Sequence, residues 1–181
     1  MTNEQKHEVI KSYAGVTHGL TFLESGTFRG DTVEAMLPFF RKLISIELFE
    51  ELYLAATKRF EGNENVSILN GDSGKILASV INEIEGPIVY WLDGHYSGAG
   101  TALSKDTQCP IIAELKAVTT RGNPADVILI DDARLFGWRS GYPSKQSVRG
   151  IVSKQLPSHK FMIREDIIVI CPKGMHSSTS R

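Results

Sequence analysis

The chain has 181 residues, enough for one domain with a substantial core, and its apolar (41%) and charged (23%) fractions are those of a soluble globular protein. Its 20 basic and 21 acidic residues leave a net charge of −1, so no global basic field points to nucleic acid as a partner. No apolar run approaches a membrane span, the first residues lack the layout of a signal peptide, and Cys109 and Cys171 have neither metal-ligand nor redox-motif spacing, so a cytoplasmic protein with buried thiols is expected.

The spacing predicts a short amphipathic helix over 3–13, with Val9, Ile10 and Tyr13 on one side. A buried strand follows at 20–24, then a glycine turn, then a helix from about Asp31 that Pro38 ends near Leu37. Residues 43–47 read as a second strand and 49–60 as a second helix, broken at Gly62. The third strand, 66–69, ends at Asn70-Gly71-Asp72, and Ser73 suits the cap of a helix carrying Ile76, Leu77, Val80, Ile81 and Ile84. A fourth strand at 88–92 closes at Asp93 and leads into a glycine-containing loop, 94–108, a candidate lid. Pro110 suits the first turn of a helix reaching Thr120. The fifth strand, 126–130, ends in Asp131-Asp132, followed by a loop over 133–144 and a helix over 145–155. Segments 160–164 and 167–171 are joined by Glu165-Asp166 alone, a link that permits only an antiparallel hairpin.

Five strand-then-helix units imply a sheet covered on both faces. The expected fold class is α/β: a doubly wound, mostly parallel seven-stranded sheet with a C-terminal antiparallel hairpin. It forms a single domain over 1–181, with an N-terminal helical region at 1–19 and a flexible tail at 175–181.

In such a sheet ligands bind beyond the carboxyl ends of the strands. Those ends carry Glu24, Glu47, Asp72, Asp93 and the Asp131-Asp132 pair, and converging acids repel unless they bind something. The first turn, Glu24-Ser-Gly26-Thr27-Phe28-Arg29-Gly30, lets backbone N–H groups approach a ligand at a helix start. Phe28 stands where a dinucleotide fingerprint has its second glycine. Glu47 follows Glu24 at about the spacing of a ribose-binding acid, or else it is a helix cap. Asp72 suits an adenine amino group or a backbone amide, or else serves the Asn-Gly-Asp turn.

The order and spacing of these elements resemble the class I S-adenosylmethionine-dependent methyltransferases, a Rossmann-like fold closed by the same kind of hairpin, over nearly the whole chain. The resemblance implies S-adenosylmethionine as cofactor, held by Glu24, Gly26, Thr27, Gly30, Glu47, Asp72 and Ser73. Trp91-Leu-Asp-Gly-His-Tyr96 and Ile128-Leu-Ile-Asp-Asp132 are similar to segments of the metal-dependent O-methyltransferases of catechol and macrocin type. That likeness implies Asp93, Asp131 and Asp132 as ligands of Mg²⁺, and three carboxylates without a Cys or His cluster do describe a hard oxygen site. His95 and Asp93 are the candidate general bases.

The activity so implied is O-methylation of a small-molecule or sugar hydroxyl, with no nucleic acid or membrane partner and with a homo-oligomer left open. Tyr96, Trp138 and Tyr142 stand in loops that would overhang the acceptor, or close small loop cores. Arg29 and Arg134 suit an anionic acceptor or the cofactor carboxylate, or else solvent. The rival readings are a metal-free methyltransferase of the same fold and a non-catalytic cofactor-binding module. A dinucleotide oxidoreductase is disfavoured by Phe28 and the hairpin.

Overall fold

The computed structural model describes residues 1–15, 20–94, 109–139 and 141–175. Helix α1 (Asn3–Ala14) precedes β1 (Thr21–Ser25), α2 (Asp31–Met36), β2 (Lys42–Glu47), α3 (Glu50–Arg59), β3 (Val66–Asn70) and α4 (Ser73–Asn82). Then come β4 (Ile88–Leu92), α5 (Ile111–Arg121), β5 (Val127–Ile130), a 3-10 turn at Ala133–Leu135, α6 (Lys145–Gln155), β6 (His159–Arg164) and β7 (Ile167–Pro172).

The strands form one seven-stranded sheet in the order β3-β2-β1-β4-β5-β7-β6. The first five run parallel, and β7 lies antiparallel to both β5 and β6. The expected doubly wound α/β sheet with its closing hairpin is therefore the observed fold. From β1 the chain steps outward to β2 and then β3 before crossing back to β4 on the other side of β1, and this switch between β1 and β4 places a crevice at the carboxyl ends.

Side-chain alternation along the strands separates two apolar layers. Leu23, Ile44, Tyr90, Leu92, Ile128 and Ile130 pack with Leu77 and Ile81 of α4, Leu115 and Val118 of α5, and Val148 and Val152 of α6. Phe22, Leu43, Val89, Trp91, Val127 and Leu129 pack with Val9, Ile10 and Tyr13 of α1 and with Val33 and Met36 of α2. Burying each large side chain contributes about 1.5–3 kcal/mol, which is why β4 and β5, buried on both faces, read as continuous apolar runs.

Period two also sorts the strand-end acids. Glu24 continues the row of Phe22, Glu47 that of Leu43 and Ser45, Asp93 that of Trp91, and Asp131 that of Leu129. All four carboxylates thus lie on the face that α1 and α2 cover.

Two local expectations are corrected. Asp72, not Ser73, caps α4: its Oδ1 accepts from Gly74 N at 3.0 Å, and Ser73 is the first helical residue. An aspartate ahead of a serine takes the cap because its carboxylate reaches the N–H two residues on without leaving extended geometry. Strand β1 runs one residue further than expected, because Ser25 still pairs with Ile46 and Leu92.

Candidate active site

The turn after β1 is shaped by close backbone approach. Gly26 has φ +89, and a Cβ there would lie 2.7 Å from the backbone oxygen of Asp93. Its N–H donates to Ile46 O at 2.9 Å, while Asp93 N donates to Ser25 O at 3.1 Å. Gly26 therefore draws the ends of β2, β1 and β4 together, a role beyond the ligand approach expected of it. Gly30 (φ +83) starts α2 at the spot where a Cβ would stand 2.6 Å from the Phe60 ring.

Between these glycines Phe28 adopts φ 50, a left-handed backbone that costs a non-glycine residue roughly 1–2 kcal/mol. Glu47 holds it there, with Oε2 accepting from Phe28 N at 2.8 Å and Oε1 from Phe49 N at 2.9 Å. Glu47 is 5% exposed, and each oxygen keeps a lone pair for a further donor such as a ribose hydroxyl. The side chains of Phe28, Leu48 and Phe49 around it are exposed, offering apolar surface to a planar ligand.

Behind the turn runs a buried hydroxyl relay. Ser45 Oγ donates to Glu24 Oε2 at 2.6 Å, so the Thr27 hydroxyl, 2.6 Å from Ser45 Oγ, is the donor in that second contact. Burial pushes the Glu24 carboxyl up to about 8, with the Ser45 and Thr32 hydrogen bonds opposing the rise and the Glu47 and Asp31 charges adding to it. Ser45 was missed by sequence reading. Its signal was a polar residue inside the apolar run Leu-Ile-Ser-Ile, paired in register with Glu24.

Asp72 and Ser73 meet the same crevice from α4. A Cβ on Gly94 would lie 3.1 Å from Ser25 Oγ and 3.3 Å from Ser73 Oγ, so Ser73 stands against the turn that follows β4. Glu114 of α5 was also missed. It is buried beside this group, and burial lifts its carboxyl above the ordinary range, with the nearby Ser73 and Ser25 hydroxyls opposing the rise.

At the ends of β4 and β5, Asp131 N donates to Leu92 O at 3.2 Å, setting Asp131 beside Asp93. Burial raises the Asp93 carboxyl well above the carboxylate range; the Asp131 charge adds to this and Lys6 opposes it. The three acids do not stand as a bare ligand set. Lys6 Nζ contacts Asp131 Oδ2, Asp132 N donates to Asp131 Oδ1 at 2.7 Å, and Arg134 pairs with Asp132 Oδ1 at 2.8 Å. Among the described residues no group of three His, Cys, Asp or Glu side chains is placed to hold a metal ion.

His95 and Tyr96 lie outside the described residues, as does nearly all of the loop over 94–108. Tyr142 packs edge-on to Phe136, ring centroids 5.5 Å apart, and closes a loop core, whereas Trp138 is 88% exposed. Arg134 is engaged by Asp132 and Asp166, and the Arg29 guanidinium lies over the Phe28 ring. No described helix is long and apolar enough to cross a membrane.

No family model matches this sequence, and no curated protein matches it. Solved structures do. An O-methyltransferase from Bacillus cereus in complex with S-adenosylhomocysteine aligns over 95% of this chain and 82% of its own, with 14% identity and a TM-score of 0.66. The O-methyltransferase TomG from Streptomyces achromogenes, in complex with S-adenosylmethionine, aligns over 95% and 81%, with 16% identity and a TM-score of 0.64. The N-methyltransferase NodS from Bradyrhizobium japonicum, bound to S-adenosylhomocysteine, aligns over 94% and 87%, with 14% identity and a TM-score of 0.60. The chain has the fold of these methyltransferases.

Proposed function

We propose that this protein is an S-adenosylmethionine-dependent methyltransferase acting on a hydroxyl of a small molecule or sugar. The observation that carries the reading is Glu47, a buried carboxylate fixed by two backbone N–H groups at the mouth of a glycine turn, with acceptor capacity to spare.

The residues fit the cofactor. Gly26 leaves the turn without a side chain, Glu47 suits a ribose diol, and Phe28, Leu48 and Phe49 present apolar surface beside it. When bound, S-adenosylmethionine would supply an electrophilic methyl group on a sulfonium, the carbon–sulfur bond breaking as the acceptor oxygen bonds to that carbon and S-adenosylhomocysteine departing as the neutral thioether. Glu24, Thr27 and Ser45 form the floor under the turn, and Asp72 and Ser73 flank it from α4. Asp93, at the end of β4 beside Asp131, is the side chain we assign to take the acceptor hydroxyl's proton. Alignment of the reacting atoms is the larger part of such a catalyst's work.

The residues do not fit Mg²⁺ as they fit the cofactor. Asp131 has both oxygens engaged, one by an ammonium, and Asp132 is paired with a guanidinium. The reading we favour is therefore transfer without a divalent ion. A near-neutral net charge supports a small acceptor over nucleic acid, and two free buried cysteines support a reducing, cytoplasmic setting.

Calorimetry with S-adenosylhomocysteine tests the assignment, with binding expected in wild type and weakened in Glu47→Ala. Preference for a nicotinamide dinucleotide would overturn it.

A further inference from the structure

We infer that Lys6 is the resident cation of the strand-end carboxylates: its ammonium, carried on α1 into contact with Asp131 where β4 and β5 end side by side, holds the place an exogenous divalent ion would need. Asp131 is wholly buried, and a carboxylate so placed must be paired. Its Oδ1 takes the Asp132 N–H, which leaves Oδ2 for the cation. Asp93 stands alongside, since Asp131 is hydrogen-bonded to Leu92, the residue before it.

The placement is built into the docking of α1. Val9, Ile10 and Tyr13 are buried in the same apolar layer as Trp91 and Leu129, which stand two residues ahead of Asp93 and Asp131. Lys6 lies three and four residues before Val9 and Ile10, on the same side of the helix, so the stripe that seats α1 also aims the ammonium at the acids. Its side chain is 19% exposed, its stem covered and its head on Asp131. Burial works against the charged lysine, but the hydrogen bond and charge of Asp131, with Asp93 and Asp132 behind them, hold its pKa above the usual lysine value. A tethered ammonium cannot be removed by chelators, and it donates hydrogen bonds instead of accepting oxygen ligands. The inference rests on the seating of α1 and not on the methyl-transfer reading.

The test is Mn²⁺ uptake by the chelator-treated full chain, followed by the electron paramagnetic resonance signal of the free ion, together with thermal melting. Wild type is expected to leave the Mn²⁺ signal and its own midpoint unchanged. Lys6→Met keeps the apolar stem but not the charge; it is expected to melt lower, to take up Mn²⁺, and to recover part of the lost midpoint with the ion. Lys6→Arg is expected to behave as wild type. Saturable Mn²⁺ uptake by wild type, or none by Lys6→Met, would overturn the assignment. Should Lys6→Met fail to fold, the Lys6→Met/Asp131→Asn double variant removes both charges and is expected to fold and to ignore Mn²⁺. A double variant no more stable than the single one would equally sink it. Binding of S-adenosylhomocysteine, measured on the same wild-type sample, reports separately on the methyltransferase reading.

Discussion

The backbone N–H of Phe28 donates to Glu47 Oε2 at 2.8 Å, so the acid that ends β2 holds the left-handed turn that follows β1. One carboxylate thereby shapes the glycine turn and presents itself to a ligand.

Glu47→Ala is expected to lose both functions. Two charge-assisted hydrogen bonds disappear, and two part-buried N–H groups are left without their acceptor. Affinity for S-adenosylhomocysteine should fall by about 1–3 kcal/mol, and the urea midpoint should fall with it. Unchanged affinity in a folded variant would remove Glu47 from the site.

Phe28 occupies a glycine-like backbone while exposing its ring. Phe28→Gly removes a left-handed cost of about 1–2 kcal/mol but adds chain entropy of about 0.5–1 kcal/mol to the unfolded state, so stability should hold or rise slightly. Phe28→Val places a branched Cβ in the same backbone and should melt lower. Thermal midpoints of the two variants, compared with wild type, check the ordering.

Glu24 titrates in the folded protein at about 8, against an ordinary value of 4.5. Between those values the folded state keeps a proton that the unfolded chain releases, so this residue's contribution to stability falls as pH rises from about 4.5 to about 8, then levels off. Glu24→Gln stays neutral and keeps an oxygen for the Ser45 hydroxyl. The difference in urea midpoint between wild type and variant should therefore widen in the variant's favour up to about pH 8. A difference independent of pH would show that Glu24 ionises normally.

Much of this was legible in the sequence because sheet physics is local. The apolar runs, the two-residue link at Glu165-Asp166 and the acids closing each strand lie within a few residues of the features they determine. Lys6 was not legible, since its partner Asp131 lies 125 residues away and only the seating of α1 joins them. Ser45 and Glu114 were missed for a similar reason: each is a polar group in an apolar pattern, recognisable only from the neighbour it faces across strands or helices. Three strand-end acids looked like a ligand set because nothing near Asp131 in sequence announces the Lys6 ammonium, and Arg134, two residues past Asp132, reads in the sequence as facing an acceptor, the cofactor or solvent.

At the opposite end of the sheet, Asp126 carries a purely structural charge. Arg121 NH1 donates to both its oxygens, at 2.8 and 2.7 Å, while Ile88 N donates to Oδ1 at 2.9 Å. Arg121 NH2 also ties Ile84 O and Gly86 O, closing the entry to β4. Asp126→Ala leaves a nearly buried guanidinium unpaired and should cost about 3–5 kcal/mol in chemical denaturation. Cofactor affinity of the folded fraction should not change.

Asp93→Asn separates chemistry from folding. Asp93 lies beside Asp131 on the face under α1, and its ionised form is opposed both by burial and by that neighbour's charge. Asparagine keeps the shape and removes the charge, so the fold should be undisturbed or slightly stabilised by relief of repulsion. Cofactor binding should persist, because Glu47 and the glycine turn lie on other strand ends. Methyl transfer loses the group proposed to take the acceptor's proton, and a general base contributes about 10²–10⁴-fold. The expected variant is thus at least as stable as wild type, binds S-adenosylhomocysteine normally and transfers methyl groups slower by that factor. Unaltered turnover would move the base elsewhere, with His95 the first residue to substitute. Lost cofactor binding would mean instead that Asp93 serves the cofactor and not the acceptor.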